Sequence, residues 1–139
     1  MAHKKPHFLK SLMEGVAFSL RDCYRVIEDM KLKVSDFILI GGGSRSDIWS
    51  QIVCDVFGRD VLKPLVSDAS YGSGLIAGVG VGVFSDVVDA INKCYKIEKV
   101  YKPNKGKRGI YKKLFRTYLD IHAILKSIYR NINNVITKE

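Results

Sequence analysis

The sequence has few of the residues that build disulfide frameworks or metal sites. Its three cysteines, Cys23, Cys54 and Cys94, are odd in number, far apart and set in apolar surroundings. This pattern favours buried free thiols over a disulfide framework or a zinc site. His3 and His7 stand four residues apart, the spacing of a metal pair on a helix, but no third ligand lies near them in the sequence. A solvated helix start is the favoured interpretation, and we predict no metal-binding residue in the chain.

Long hydrophobic runs are also missing. The most apolar stretch, residues 75–84, is about half as long as a membrane span and is rich in glycine. The first five residues lead into a mixed helical pattern and not into the apolar core of a signal peptide. At 139 residues with 47% hydrophobic content, the chain is large enough for one domain with a core of its own. We therefore expect a soluble, cytoplasmic chain without a membrane partner.

Acidic residues are scarce in the second half of the chain, and the net charge is +9. This positive charge suggests nucleic acid as a possible partner. Residues 93–113 hold nine lysines and arginines against the single acid Glu98, with Tyr95, Tyr101 and Tyr111 interleaved. Such tyrosines could stack on bases. Charge runs usually form solvated faces, however, and this one surrounds a turn at residues 103–106. Nucleic-acid binding is therefore an alternative, and the less favoured one.

A glycine-rich stretch at residues 36–57 organises the rest of the chain. Residues 37–40 form an apolar, β-favouring run that stops at three consecutive glycines. Apolar residues then recur at helical spacing at Ile48, Trp49, Ile52, Val53 and Val56. The pattern predicts a buried strand, a glycine turn and a helix.

This turn is the candidate binding site. Glycines let a ligand lie against backbone N–H groups, and the start of a helix adds free donors and a partial positive charge, which suits a phosphate. Either Ser46 or Asp47 can cap the helix, and Ser44 and Ser46 offer hydroxyls nearby. The stretch is neither G-x-G-x-x-G nor a P-loop, so an ordinary tight turn explains the spacing equally well. The candidate nucleotide-binding residues are Gly41, Gly42, Gly43, Ser44, Ser46 and Asp47.

The remaining patterns predict an α/β protein with a short sheet flanked by helices. A long amphipathic helix should run from Pro6 to about Lys31, and a last helix from about Lys107 to Ile132. Residues 61–66 form a second strand, which Pro64 limits to a sheet edge or a strand end. A helix rich in glycine, serine and alanine follows at about 67–79, then a short helix at 85–93 and an extended segment at 96–101. Only two strands are well marked, so the mostly parallel sheet looks incomplete, as in a piece of a larger domain.

Three stretches, in this order, resemble the C-terminal lobe of the FGGY carbohydrate kinases, and most of all the xylulokinases. The first is H-F-L-K-S-L-M-E-G-V-A-F-S-L-R-D, which is similar to a long helix of that family. The second is I-L-I-G-G-G-S-R-S-D-I-W-S-Q-I-V-C-D-V-F-G-R-D-V, similar to its adenosine motif, and the third is Y-G-S-G-L-I-A-G-V-G-V-G-V-F. The resemblance covers nearly the whole chain. It implies a partial actin-like ATPase (ribonuclease H-like) lobe, with residues 1–139 forming one incomplete C-terminal domain that lacks the N-terminal lobe and its own first strands.

The resemblance implies a function as well. The family transfers the γ-phosphate of ATP, with magnesium, to a sugar hydroxyl, here xylulose or a related pentulose. In this chain Gly42 and Gly43 would touch the phosphate and ribose through their backbones, and Ser46 and Asp47 would lie beside the adenine. Gly72 and Gly74, at the start of the small-residue helix, would border the same pocket, although close packing is the favoured explanation of the small residues in that helix.

The family's catalytic aspartate and sugar pocket belong to sequence that precedes the matched stretches, so we predict no catalytic residue here and an inactive isolated chain. A non-catalytic interaction module that uses an exposed sheet edge is the alternative from a different class. An unpaired strand edge can form hydrogen bonds with a strand of another chain, so we expect self-association under both interpretations.

Overall fold

The computed structural model of the chain describes residues 3–136, with side chains as far as residue 132. Within that range lie five α-helices and three β-strands: α1 (Lys5–Asp29), β1 (Phe37–Ile38), α2 (Asp47–Phe57), β2 (Val61–Pro64), α3 (Ala69–Gly80), α4 (Val87–Cys94), β3 (Ile97–Tyr101) and α5 (Arg108–Ile136). Two 3₁₀ turns, Gly42–Arg45 and Lys105–Lys107, precede α2 and α5. All five predicted helices form, and no helix of residues 3–136 is long and apolar enough to cross a membrane.

The sheet is mixed, which corrects the expectation of a mostly parallel one. Its order is β1-β2-β3, with β1 parallel to β2 and β2 antiparallel to β3. The extended segment before the Pro103 turn supplies the third strand. Pro64 ends the central strand and does not lie on an edge, and the pairing with β3 shifts register there, between Lys63 and Pro64. A proline without an N–H is accommodated where the ladder is interrupted.

The core lies between one face of the sheet and the helices α1, α2 and α5. Helix α2 is its centre, because five consecutive residues from Ile52 to Val56 are buried. Phe18 of α1, Val61 of β2, and Tyr101 and Tyr111 from the second half pack in the same cluster. The core thus holds the start of α2, and the glycine turn before it, in a fixed place relative to the sheet.

The cysteines do not all share the environment that the sequence predicted. Cys54 is fully buried in α2, with its Sγ 3.2 Å from the carbonyl oxygens of both Arg59 and Tyr101. Burial raises the pKa of this thiol to about 12. Cys94 is half-buried, whereas Cys23 of α1 is exposed. Only one of the three predicted buried thiols is therefore deep in the core.

Candidate functional site

The glycine turn joins the end of β1 to the start of α2. Gly41 has a φ of 82°, in the region that favours glycine, and this conformation turns the chain out of the sheet. The next four residues form a single 3₁₀ turn, held by a hydrogen bond from the Ser44 N–H to the Gly41 carbonyl of 3.1 Å. The Ser46 N–H closes the turn by donating to the Gly43 carbonyl at 3.1 Å.

Two glycines of the turn are open to solvent. A Cβ added at Gly42 would meet no atom within 4 Å, so the space beside this residue is free. A Cβ at Gly43 would stand 2.9 Å from Nε1 of Trp49, because the indole of α2 lies against the backbone there. The turn therefore offers an accessible backbone at Gly42 and a close backbone contact at Gly43.

Ser44 faces inward, in contrast to the predicted hydroxyl offered to a ligand. Its side chain is fully buried, and its Oγ donates to the Gly41 carbonyl at 2.7 Å. The side chain therefore stabilises the turn through a hydrogen bond on its buried side. The sequence could not distinguish this role from ligand contact, since a serine after glycines suits either.

Ser46 and Asp47 begin α2 and have separate roles. Ser46 is the N-cap, and its Oγ accepts from the Trp49 N–H at 3.3 Å. Asp47 accepts instead from Lys99 Nζ, at 2.8 Å, and from the Tyr101 hydroxyl, both on β3. These bonds, that from Lys99 above all, hold the pKa of the Asp47 carboxyl below its ordinary value. Asp47 thus ties the start of α2 to β3.

The start of α3 lies against the glycine turn. The Gly41 N–H donates to the Ser67 carbonyl at 2.7 Å, and Nη2 of Arg45 lies 3.1 Å from Oδ1 of Asp68. Asp68 occupies the N-cap position of α3, but its side chain forms no capping bond. This contact was not predicted from the sequence, because Arg45 and Asp68 are 23 residues apart and neither side chain signals the pairing.

The predicted border of the pocket is open as well. Gly72 and Gly74, in the first half of α3, are exposed, and a Cβ at either would meet no atom within 4 Å. Gly72 also lines a cavity between α3 and α4, with Leu75 and Ala90 among the other lining residues, so the contacts between α3 and the glycine turn are those of Ser67 and Asp68. The arrangement can hold a flat or anionic group against backbone atoms.

The acids near this surface are mostly engaged elsewhere in the fold. The Asp55 side chain keeps only 1% of its surface exposed and lies 3.3 Å from Lys107 Nζ, while Asp68 is paired with Arg45. Asp47 is held by β3 as described. Within residues 3–136 no three histidine, cysteine or acidic side chains come close enough to hold a metal ion.

The basic segment is partly neutralised within the fold. Lys93, Lys99 and Lys107 are paired with Asp89, Asp47 and Asp55 respectively. Tyr101 and Tyr111 each keep only 4% of their surface exposed, because they belong to the core. Two of the three tyrosines proposed to stack on bases are thus unavailable for that role. That this chain does not bind nucleic acid stays a prediction.

Comparison with known families identifies the family of this chain. Residues 1–81 match the model of the FGGY family of carbohydrate kinases, C-terminal domain. The chain belongs to this family. The match spans α1, the glycine turn, α2 and α3, so every residue of the candidate site lies inside the FGGY region, and the resemblance that the sequence motifs indicated is confirmed.

Individual FGGY relatives are similar over most of this chain. It is 28% identical over 128 residues to the xylulose kinase of Bacillus subtilis (strain 168). This alignment covers 91% of this chain and 26% of the relative. It is 27% identical over 139 residues to the gluconokinase of Bacillus licheniformis, covering 96% of this chain and 26% of the relative. A crystal structure of ligand-bound xylulose kinase from Lactobacillus acidophilus superposes with a TM-score of 0.81 at 24% identity, over 94% of this chain and 26% of that one. The chain thus has the α/β fold of FGGY kinases and spans about a quarter of these relatives' length.

Proposed function

We propose that this chain is the nucleotide-binding part of a carbohydrate kinase that transfers the γ-phosphate of ATP to a sugar hydroxyl. The observation that carries the proposal is the open backbone at Gly42, placed between a strand and a helix start in the region that matches the FGGY C-terminal domain. Xylulose or a related pentulose is the proposed acceptor, because xylulose kinases recur among the similar proteins. The similarity to a gluconokinase makes gluconate the second candidate.

The proposed contacts are those that the resemblance to FGGY kinases implies, and the open backbone of the turn supports them. Gly42 and Gly43 present backbone atoms to the ribose and phosphates of ATP, and the first turn of α2 adds its partial positive charge. The exposed backbone of Ser46 and Asp47 borders the adenine, with Gly72 and Gly74 on the side of α3. Gly41 and Ser44 shape the turn without exposing a polar side chain. The absence of a Cβ at Gly42 is what this proposal requires.

In this proposal, magnesium binds together with ATP. The described residues offer no cluster of metal ligands, but the phosphates of ATP themselves coordinate magnesium. The ion would neutralise charge on the transferred phosphoryl group, while this chain's own part is to hold the nucleotide in position.

Calorimetric titration with ATP and magnesium tests the proposal directly. A Cβ at Gly42 would meet no protein atom within 4 Å, so the effect of Gly42→Val should report on the ligand. We expect weak binding to the natural chain and a loss of at least about tenfold in affinity for Gly42→Val, which corresponds to about 1.4 kcal/mol.

Gly109→Val is the matched control. Gly109 lies on α5, away from the turn, and a Cβ there also meets no atom within 4 Å. Gly43→Val is a poorer probe, because its side chain would displace Trp49. Equal ATP affinity in the Gly42 and Gly109 variants would refute the assignment of the glycine turn.

A further inference from the structure

The glycine turn carries one cationic side chain. Among residues 41–47 that cation is Arg45, the last residue of the 3₁₀ turn Gly42–Arg45. Its side chain keeps 71% of its surface exposed. Arg45 therefore stands beside the backbone to which the phosphates of ATP are assigned, with its charge open to solvent.

The partner of Arg45 lies at the start of α3. Nη2 of Arg45 is 3.1 Å from Oδ1 of Asp68 and 3.4 Å from Oδ2. Both contacts come from one nitrogen, so the pair lacks the two parallel bonds with which arginine holds an anion most firmly. The Asp68 side chain is 52% exposed, and an ion pair so open to water contributes little to stability. The guanidinium can therefore leave Asp68 at small cost.

Asp68 has a second role open to it that it does not fill while it is paired. It occupies the N-cap position of α3 with an extended backbone, which is the conformation of a capping residue. Its side chain forms no capping bond, whereas Ser46 and Asp86 cap α2 and α4 through theirs. Aspartate is a preferred N-cap residue, because its carboxylate can accept from the N–H groups of the first helical turn. Release of Arg45 would leave the carboxylate free to do so.

A backbone contact keeps this pair next to the glycine turn. The Gly41 N–H donates at 2.7 Å to the carbonyl of Ser67, the residue before Asp68. This bond joins the start of the turn to the start of α3 whether or not Arg45 is paired. The acid that ends the turn, Asp47, is engaged by β3 and does not compete for the guanidinium.

We propose that Arg45 exchanges Asp68 for a phosphate of the bound nucleotide, and that Asp68 then caps α3. The inference rests on the proposed nucleotide site and assigns to it the side chain that recognises the phosphate. A guanidinium binds phosphate oxygens through charge-assisted hydrogen bonds, which are stronger than an exposed ion pair made by a single nitrogen. The exchange makes the turn selective, since a nucleotide then binds more tightly than its nucleoside.

Titration calorimetry of the whole chain with ATP and magnesium, and separately with adenosine, tests the exchange. We expect Arg45→Ala to weaken ATP binding at least about tenfold and to leave adenosine binding unchanged, because adenosine has no phosphate. Arg45→Lys should recover part of the affinity, since lysine keeps the charge without the fork of donors. Arg25→Ala is the matched control. Arg25 is also exposed and paired with aspartates, but it lies on α1, so its loss should leave ATP affinity unchanged.

Asp68→Asn tests the other half of the exchange. Asparagine is as good an N-cap residue as aspartate but has no charge with which to hold Arg45. We therefore expect this variant to bind ATP about two- to fivefold more tightly. The gain should disappear in the Arg45→Ala background, because no guanidinium is then released. In the natural chain, ATP should also slow hydrogen exchange in the first turn of α3, and Asp68→Ala should abolish that protection.

Equal ATP affinity in the natural chain and in Arg45→Ala, with binding still lost in Gly42→Val, would overturn the exchange and leave the nucleotide site standing. Equal losses of ATP and adenosine binding in Arg45→Ala would overturn it as well, since the pair would then only shape the turn. So would a loss of ATP affinity in Asp68→Asn, or a gain that persists without Arg45. A natural chain that binds no ATP would overturn both this inference and the proposed function.

Discussion

At the scale of single residues, Asp47 is the part of the candidate site whose behaviour depends on pH. Its carboxylate accepts hydrogen bonds from Lys99 and Tyr101, and the pKa of this group is lowered in the folded chain. A lowered pKa means that the folded state favours the ionised form. The stabilisation is therefore present above the ordinary pKa of about 3.9 and is lost as the pH falls through the folded value.

Asp47→Asn should accordingly lower the free energy of unfolding near neutral pH by a small amount. The difference from the natural chain should shrink as the pH falls below the ordinary pKa of about 3.9 and through the lowered pKa of the folded carboxyl, because the natural carboxyl then becomes protonated as well. Urea denaturation at several pH values measures this difference in the free energy of unfolding. Asp36→Asn, at an exposed position before β1, serves as the control. A difference that stays constant over the whole pH range would contradict the ion pair with Lys99.

At the scale of elements, the buried carboxylate of Asp55 joins α2 to the turn before α5. Its Oδ1 accepts from Gln51 Nε2 and from the Asn104 N–H, both at 2.8 Å, and Oδ2 lies 3.3 Å from Lys107 Nζ. Removing this carboxylate would leave the Asn104 N–H without its partner. Hydrogen bonds to a buried carboxylate are stronger than those between neutral groups, whereas a half-exposed lysine contributes little.

We therefore expect Asp55→Ala to lower the free energy of unfolding by about 2–4 kcal/mol. Lys107→Ala should lower it by less than about 1 kcal/mol, because the Lys107 side chain is 47% exposed. Chemical denaturation followed by circular dichroism measures both. Equal losses in the two variants would show that the contact with Lys107, and not the bonds to Asn104 and Gln51, holds the two elements together.

The sequence predicted elements well where the signal is local. The five helices and the glycine turn follow from apolar spacing and from three adjacent glycines. The role of Asp47 could not be foreseen, because its partners Lys99 and Tyr101 are 52 and 54 residues away. The direction of β3 was missed for the same physical reason, since strand pairing depends on distant contacts that no short window of sequence contains.

At the scale of the whole molecule, three acids on or near the candidate site are held by cations within the fold. Asp47, Asp55 and Asp68 are each paired with a cation. Phosphoryl transfer needs a group that accepts the hydroxyl proton as well as a bound nucleotide. Inactivity of the isolated chain stays a prediction, which an activity assay can test.

We therefore expect no formation of ADP above background when this chain alone is given ATP, magnesium and either xylulose or gluconate. A coupled assay measures ADP, and the xylulose kinase of Bacillus subtilis provides the positive control. Turnover by this chain above background would contradict the prediction and would mean that an acid of this chain has a catalytic role.

Trp49 is the only tryptophan of the chain, and its indole Nε1 would stand 2.9 Å from a Cβ at Gly43. The chain thus carries an intrinsic fluorophore directly against the backbone at which we place the ribose. The emission of an indole changes with its surroundings, so a nucleotide at this turn should shift or quench it without any added dye. The same titration with Gly42→Val should leave the spectrum unchanged, and an identical response from both chains would show that the nucleotide binds elsewhere.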